Sequence, residues 1–149
     1  MRKVSQRAFI PLFLLGMCSL LISSRAMAQD ARFWVAGNGN WEDASHWSLT
    51  ENGVGGAGAP GSRDIVTISS NGVELVVRIG SEVEAGGLQI DGTRGGVTLA
   101  GDQGKLAVAG DIRIRGSVAW PYTGSVELTA RRGVAELDLR GIPISGNVS

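Results

Sequence analysis

Residues 29–149 show short runs in which apolar and polar positions alternate. Triplets of two aliphatic residues around a polar or small one recur about every ten residues, and no stretch repeats apolar positions at helical spacing. The runs are Phe33–Val35, Asp64–Ile68, Val73–Ile79, Leu88–Ile90, Val97–Leu99, Leu106–Val108, Ile112–Ile114, Val126–Leu128, Leu137–Leu139 and Ile142–Ile144. This pattern predicts an all-β chain.

Two all-β architectures fit this spacing. A β-sandwich uses about seven strands with turns every 8–12 residues. A right-handed parallel β-helix, or solenoid, uses shorter strands joined by tight glycine corners around a narrow aliphatic core. The strands here are short, glycine follows most of them, and Trp120 and Tyr122 are the large aromatics of the repetitive part. We expect the β-helix, with the sandwich as the alternative.

The dipeptide Asn71-Gly72 separates two of the expected strands. Such a pair suits a tight turn that needs positive φ. It therefore predicts either a hairpin turn or a corner of the solenoid. Near the other end, Pro143 lies between Ile142 and Ile144 and indicates a bend or an unpaired strand position.

The first 28 residues have the pattern of an export signal. Arg2, Lys3 and Arg7 form a basic start, and an apolar stretch follows over residues 8–22. Ala26-Met27-Ala28 then supplies small residues for cleavage, which we expect between Ala28 and Gln29. The apolar stretch is shorter than the ~20 residues of a membrane span. The prediction is a chain secreted to the extracellular space or the bacterial cell surface, with no membrane span after cleavage.

Composition separates this leader from the remainder. The whole chain has 149 residues with 14 basic and 14 acidic side chains, but four of the basic ones lie in the leader, which leaves 10 against 14 afterwards. The leader also holds the one cysteine, Cys18. These counts exclude a disulfide scaffold and a cysteine site in residues 29–149, and they argue against a nucleic-acid partner.

Three domains follow from these patterns. Residues 1–28 are a cleaved signal peptide, 29–62 a Trp- and Gly-rich N-terminal cap and loop, and 63–149 the β-solenoid rungs. The final residues start a new strand-like unit without a polar cap, so we expect the rungs to be truncated at the C-terminus, as in the front part of a larger exported protein.

Three of the four tryptophans, Trp34, Trp41 and Trp47, fall close together near the start of the exported chain. Large indoles could close the open end of a solenoid as an aromatic cap. The alternative is a platform on which sugar rings stack. Which ring faces remain exposed decides between the two.

The segment from Phe33 to Ile68 resembles the opening of large secreted bacterial surface proteins, especially adhesin-like ones of the Bacteroidetes. It is similar, more loosely, to autotransporter-associated β-strand repeats. The matching residues are Phe33, Trp34, Val35, Gly37, Gly39, Asn40, Trp41, His46, Trp47, Gly55, Gly56, Gly58, Pro60, Asp64 and Val66. Ala36 departs from the pattern, where a glycine is usual. The resemblance implies an extracellular β-solenoid without catalytic residues.

Each candidate motif for catalysis or cofactor binding lacks a residue that its chemistry requires. Gly55–Pro60 begins like a calcium nonapeptide, but Pro60 replaces the liganding aspartate. The sequence has no Gly-x-Ser-x-Gly motif that would supply a nucleophilic serine for His46, so His46 is interpreted as a hydrogen-bonding group of the cap. Glu82 and Glu84 are interpreted as a solvated strand edge that discourages aggregation. No catalytic residue, metal or cofactor is predicted.

The sequence thus favours a non-catalytic, adhesin-like surface module whose partners are surface glycans or other surface proteins. Two alternatives remain open. The chain could be the front of a polysaccharide-degrading β-helix enzyme, or a carbohydrate-binding β module.

Overall fold

A computed structural model describes residues 29–129 and 137–138 of the chain. The expected signal peptide, the Ala28 side of its cleavage site and the triplet Ile142–Ile144 lie outside the described residues. About half of the described residues are in strands, and their helix content is one short 3-10 turn, Ala44–His46. The fold is all-β, as the sequence predicts, with a sheet curled like half of a barrel.

Eleven strands are numbered here in chain order. They are β1 Ala31–Trp34, β2 Gly39–Asn40, β3 Trp47–Ser48, β4 Ile65–Ser69, β5 Leu75–Arg78, β6 Glu82–Ala85, β7 Gly87–Ala100, β8 Lys105–Val108, β9 Ile112–Ala119, β10 Ser125–Leu128 and β11 Leu137–Asp138. Nine of the ten expected runs are recovered, in whole or in part, as strands: one each in β1, β4, β5, β8, β9, β10 and β11, and two in β7.

Strand pairing is parallel almost throughout the described part of the chain. The larger sheet runs β11-β9-β7-β4-β1-β3, with β5 beside β7 and β2 beside β5, and a second sheet runs β10-β8-β6. The pair β1–β3 is antiparallel and lies at the edge. Immunoglobulin-like sandwiches are built from antiparallel pairs, so this pairing disfavours the sandwich alternative.

Asn71-Gly72 is a corner. The strands on either side of it, β4 and β5, both pair with β7 and not with each other. Gly72 has a φ of 85°, a region that glycine enters without the strain a Cβ would cause. The hairpin alternative for this dipeptide is therefore wrong.

Register places like side chains above one another in the core. Val66 pairs with Leu88, which pairs with Ile112. The same repetition gives further buried columns. Among them are Ile68–Ile90–Ile114, Val77–Leu99 and Val83–Leu106–Val126. Each column extends one apolar interior along the whole ladder, because parallel neighbours hold equivalent positions on the same face.

The strand boundaries differ from the expectation in two ways. The triplets at 88–90 and 97–99 belong to one bent strand, β7, whose register shifts between Gly92 and Val97. Gly95 and Gly96 have φ of 152° and 85°, so glycine backbone makes the bend without ending the strand. The short strands β2 and β3 were not predicted as strands, because each is too short for the triplet pattern, and β6 was expected only as the strand edge that carries Glu82 and Glu84.

Candidate functional site

The three clustered tryptophans pack together at the β1 end of the larger sheet. Trp34 contacts Trp47 edge to face with ring centroids 5.0 Å apart, and Trp41 contacts Trp47 in a similar way at 5.0 Å. Trp41 and Trp47 are fully buried, and Trp34 retains 7% exposure. Such edge-to-face pairs add about 0.5–1.5 kcal/mol beyond the area they bury.

Hydrogen bonds fix two of these rings. The Trp47 indole N–H donates to the Trp41 carbonyl at 2.6 Å, and the Trp34 indole N–H donates to the Gly37 carbonyl at 2.8 Å. The buried Trp41 indole nitrogen has no hydrogen-bond partner among the described residues. Its cost, of order 1–3 kcal/mol, is offset by the aromatic contacts around it.

His46 belongs to the same cluster. Its ring stacks on Trp34 with centroids 4.7 Å apart and planes 9° from parallel. Its Nδ1 lies 3.1 Å from the Val35 carbonyl oxygen. The hydrogen bond expected of His46 is present within the tryptophan cluster, and the role of that cluster as a cap stays a prediction. Gly39 passes so close to the imidazole that a Cβ there would overlap the ring.

Asp43 begins the 3-10 turn that presents His46. One carboxylate oxygen accepts hydrogen bonds from the Ser45 hydroxyl at 2.7 Å and the Ser45 backbone N–H at 2.9 Å. These two bonds hold the pKa of Asp43 below its ordinary value. The carboxylate therefore stays charged and continues to cap the turn at neutral pH.

Two side chains of the tryptophan-containing segment, Asn38 and Glu42, accept hydrogen bonds from groups far away in sequence. Glu42 Oε1 accepts from the backbone N–H groups of Gly80 at 2.8 Å and Ser81 at 2.7 Å, and from the Ser81 hydroxyl at 3.0 Å. Asn38 Oδ1 accepts from the Val76 N–H at 2.7 Å. The cap thereby uses donors of β5 and of the corner that follows it.

The Glu42 carboxylate is charged at neutral pH for a physical reason. Partial burial raises its pKa, but the hydrogen bonds from backbone and Ser81 outweigh that effect and leave the pKa of Glu42 below its ordinary value. Glu42 therefore joins the tryptophan-containing segment to the parallel strands through a charged carboxylate that accepts hydrogen bonds from Gly80 and Ser81.

Burial decides what the tryptophans can do. With Trp41 and Trp47 fully buried and Trp34 nearly so, the structure leaves no indole face of this cluster open to stack on a sugar ring. This burial gives no support to the alternative in which glycans stack on these three residues, and it agrees with the favoured interpretation that they pack as an aromatic cluster. Trp120 and Tyr122 are buried as well, and burial raises the pKa of the Tyr122 phenol.

The outer face of the larger sheet is different, because it is open and polar. Along it, outward side chains stack in two rows across β4, β7 and β9. The rows are Thr67–Gln89–Arg113 and Ser69–Asp91–Arg115. Phe33 of β1 continues the first row beside Thr67 and is partly exposed.

Two clefts lie on this face. One, of about 180 Å³, lies between Phe33, the loop at Glu51 and Asn52, and the β4 end near Arg94. The other, of about 150 Å³, lies between Gln89, Asp91 and the two arginines of β9. Both clefts are bordered by Thr67 and Ser69, so they adjoin each other. Sequence reasoning missed this surface, although the polar middle residues of successive triplets were its signal.

The outer face of the second sheet is mainly acidic. Lys105 forms ion pairs with Glu82 and Glu127 on the strands to either side. These two carboxylates raise the pKa of Lys105 by hydrogen bonding and charge. Glu82 and Glu84 are exposed on β6, which lies at the edge of this sheet among the described strands; the solvated edge is therefore present, and its effect on aggregation stays a prediction.

Within residues 29–129 no three His, Cys, Asp or Glu side chains come together as a set of metal ligands. In the same part of the chain, no helix is both long enough and apolar enough to cross a membrane. Comparison of the chain with protein-family models, with curated proteins and with solved structures gives no significant match.

Proposed function

We propose that the chain is a non-catalytic module of a secreted, cell-surface or adhesin-like protein, built as a right-handed parallel β-helix with an aromatic N-terminal cap. The observation that carries the proposal is the repeating parallel register. Val66 pairs with Leu88 and Leu88 with Ile112, about 22 to 24 residues further along the chain each time. A solenoid with one coil per repeat produces this register.

The edge arrangement supports the cap half of the proposal. β3 runs antiparallel on β1, so the parallel ladder does not continue beyond it within the described residues. The tryptophans fill the apolar interior at this end. Solenoids need such a covered end to remain soluble and to avoid edge-to-edge association.

The surface assignment rests on the leader and on the resemblance to adhesin-like proteins. Its test is expression of the full chain in a bacterial host, followed by mass spectrometry of the exported product. We expect a mature N-terminus at Gln29 and a product that external protease removes from intact cells. Leu14→Arg, in the apolar stretch of the leader, is the control and should keep the chain in the cytoplasm.

An uncleaved cytoplasmic chain would overturn the proposal.

The architecture has its own test, because a β-helix places equivalent positions of successive coils at strand spacing, about 4.8 Å. Spin labels at Gln89 and Arg113 should couple at that short range. A longer separation would contradict the stacked-coil arrangement.

A further inference from the structure

We propose that the open polar face of β4, β7 and β9 is a binding groove for a neutral linear polysaccharide. This inference rests on the proposed function, because it gives the surface module a ligand class. It places the site on the sheet face and not on the buried tryptophans.

The first argument is the shape of the surface. The two clefts share Thr67 and Ser69, so together they form one shallow groove that crosses the strands from Phe33 to Arg115. We call this surface the polar groove. Its two clefts provide about 180 and 150 Å³, which is room for a short stretch of an extended chain and too open for a small enclosed ligand.

The second argument is periodicity. Equivalent side chains on neighbouring parallel strands lie about 4.8 Å apart. Thr67 and Gln89 therefore place a hydroxyl and an amide one strand spacing apart on β4 and β7. Ser69 offers a second hydroxyl in the adjacent row. A polymer of similar repeating units meets such a surface in the same way at each step, whereas a compact ligand uses a single position.

The third argument is charge. The groove contains three cations, Arg94, Arg113 and Arg115. Two acidic groups, Glu51 and Asp91, line the same clefts, and Asp111, outside them, balances the charge of Arg113 through an ion pair at 2.7 Å. An acidic polysaccharide requires an excess of cations, and this balance does not supply one. Sugar hydroxyls both donate and accept, so a balanced set of donors and acceptors suits a neutral polymer.

Some of these charges already have protein partners. Arg113 donates to Asp111 Oδ2 at 2.7 Å, and Asp91 Oδ1 accepts from the Thr93 N–H at 2.9 Å and the Thr93 hydroxyl at 2.6 Å. Side chains tied down in this way lose little further freedom when a ligand binds. They form a fixed border along the uncharged groups Thr67, Ser69 and Gln89.

The fourth argument is the aromatic ring at one end. Phe33 borders the groove, is partly exposed and lies in the row of Thr67. Ligand sites combine an apolar ring with a few placed polar groups. A sugar ring has an apolar C–H face that can lie on Phe33 while its hydroxyls reach Thr67.

The other outer faces of the ladder lack this combination. The second sheet presents Glu82, Glu84 and Glu127 around Lys105. The face formed by β5, the second half of β7 and the end of β9 presents Val76, Thr98 and Ala119. These faces supply matched control positions within the same protein.

The experiment measures glycan binding by the full chain, purified after export. An array of neutral linear glucans, galactans and mannans is compared with polygalacturonate and alginate, and titration calorimetry gives Kd for each polymer that binds. We expect binding to a neutral polymer. Gln89→Ala and Thr67→Ala should each raise Kd about tenfold, the value of a lost hydrogen bond, and Phe33→Ala should raise it more.

Thr98→Ala and Lys105→Gln, on the other two faces, are the controls and should leave Kd unchanged. Circular dichroism and urea unfolding of each variant establish that the fold is kept. Because Gln89 is exposed, its variant is expected to fold, and Arg115→Gln provides a second test on the same surface.

Three results would overturn the proposed groove. They are no binding to any polymer, binding to acidic polymers alone, and a loss of affinity in Thr98→Ala equal to that in Gln89→Ala. A chain that is exported and displayed but binds no glycan overturns the groove and leaves the proposed function intact. A chain that stays in the cytoplasm overturns the proposed function, whatever the purified protein binds.

Discussion

The cap and the ladder bury apolar side chains by opposite means. In the tryptophan cluster, which the proposed fold makes the cap, each contact occurs once: Trp41 packs on Trp47, His46 stacks on Trp34, and Glu42 reaches the segment between β5 and β6. In the ladder, the same contact is repeated by one aliphatic residue stacked on the next. A non-repeated contact depends on the shape of one side chain, whereas a repeated one depends mainly on apolar volume. The comparison teaches that the cap should tolerate substitution less than the ladder does.

The largest effect is expected in the cap. Trp41→Ala removes a fully buried indole and should lower the free energy of unfolding by about 4 kcal/mol, through lost burial and the cavity that remains. Urea unfolding of the exported chain measures it. Val54→Ala, at a position 91% exposed in the following loop, is the control and should change stability by less than about 0.5 kcal/mol. If Trp41→Ala lowers the free energy of unfolding by less than about 1 kcal/mol, the packing of Trp41 inside the tryptophan cluster does not stabilise the fold as proposed.

A ladder residue should be nearly as sensitive to truncation but far less sensitive to shape. Leu99→Ala should cost about 3 kcal/mol, because Leu99 is fully buried beside Val77. Leu99→Met keeps the volume and should cost less than about 1.5 kcal/mol. Trp41→Phe is the matched conservative change in the cap. If Trp41→Phe is as mild as Leu99→Met under urea, the contrast between the two regions does not hold.

The junction between the regions should respond to pH. Because the pKa of Glu42 is lower in the folded chain than its unfolded value of about 4.5, its contribution is fully present above that pH and is lost as pH falls through the folded pKa. Glu42→Gln should therefore be less stable than the natural chain at pH 7, by about 1 kcal/mol given the exposure of the carboxylate.

The difference between Glu42→Gln and the natural chain should become smaller as the pH falls below 4.5. Unfolding curves of both proteins at pH 7 and pH 3 measure it. Glu74→Gln, at an exposed carboxylate that contacts one threonine hydroxyl, is the control and should lower stability at pH 7 by less than Glu42→Gln does. A Glu42→Gln difference that stays constant with pH would show that the carboxylate charge is not what joins cap to ladder.

The smallest effect is expected at the outer surface of the ladder. Lys105→Gln removes both ion pairs of the second sheet, yet exposed pairs contribute little because water screens them and the side chains lose freedom in making them. The urea midpoint should remain within experimental error of the natural chain, at low and at high salt. A clear loss at low salt that disappears in high salt would mean that charge, as well as aliphatic stacking, holds the ladder.

Much of the ladder could be predicted from the sequence. The triplets at 65–68, 106–108 and 126–128 place two apolar residues on one face of an extended strand, and local sterics and burial leave few alternatives for them. The bend in β7 could not be predicted, because glycines at 92, 95 and 96 look the same whether they end a strand or turn it. For β6 the sequence indicated the exposed edge at Glu82 and Glu84 but not the inward pair Val83 and Ala85, because neither of those small side chains stands out between two glutamates.

The cap was predicted by its composition and not by its contacts. The clustered tryptophans indicated an aromatic cap. Only the tertiary structure shows that Glu42 accepts hydrogen bonds from Gly80 and Ser81, and that Asn38 accepts one from Val76. Such contacts join residues about 38 positions apart, and no local pattern encodes them. The polar groove is of the same kind, because Thr67, Gln89 and Arg113 become neighbours only through strand register.

The sequence by itself determined the all-β class, most strand positions and the inward face of each strand, because alternation of apolar and polar residues is a local property of an extended backbone. Tertiary structure decided which strands are neighbours, that Asn71-Gly72 is a corner, and that Trp41 and Trp47 are buried. The physical reason is that burial and register depend on which distant segments exclude water together. Nothing in the chemistry of a single triplet, or of a tryptophan alone, specifies those partners.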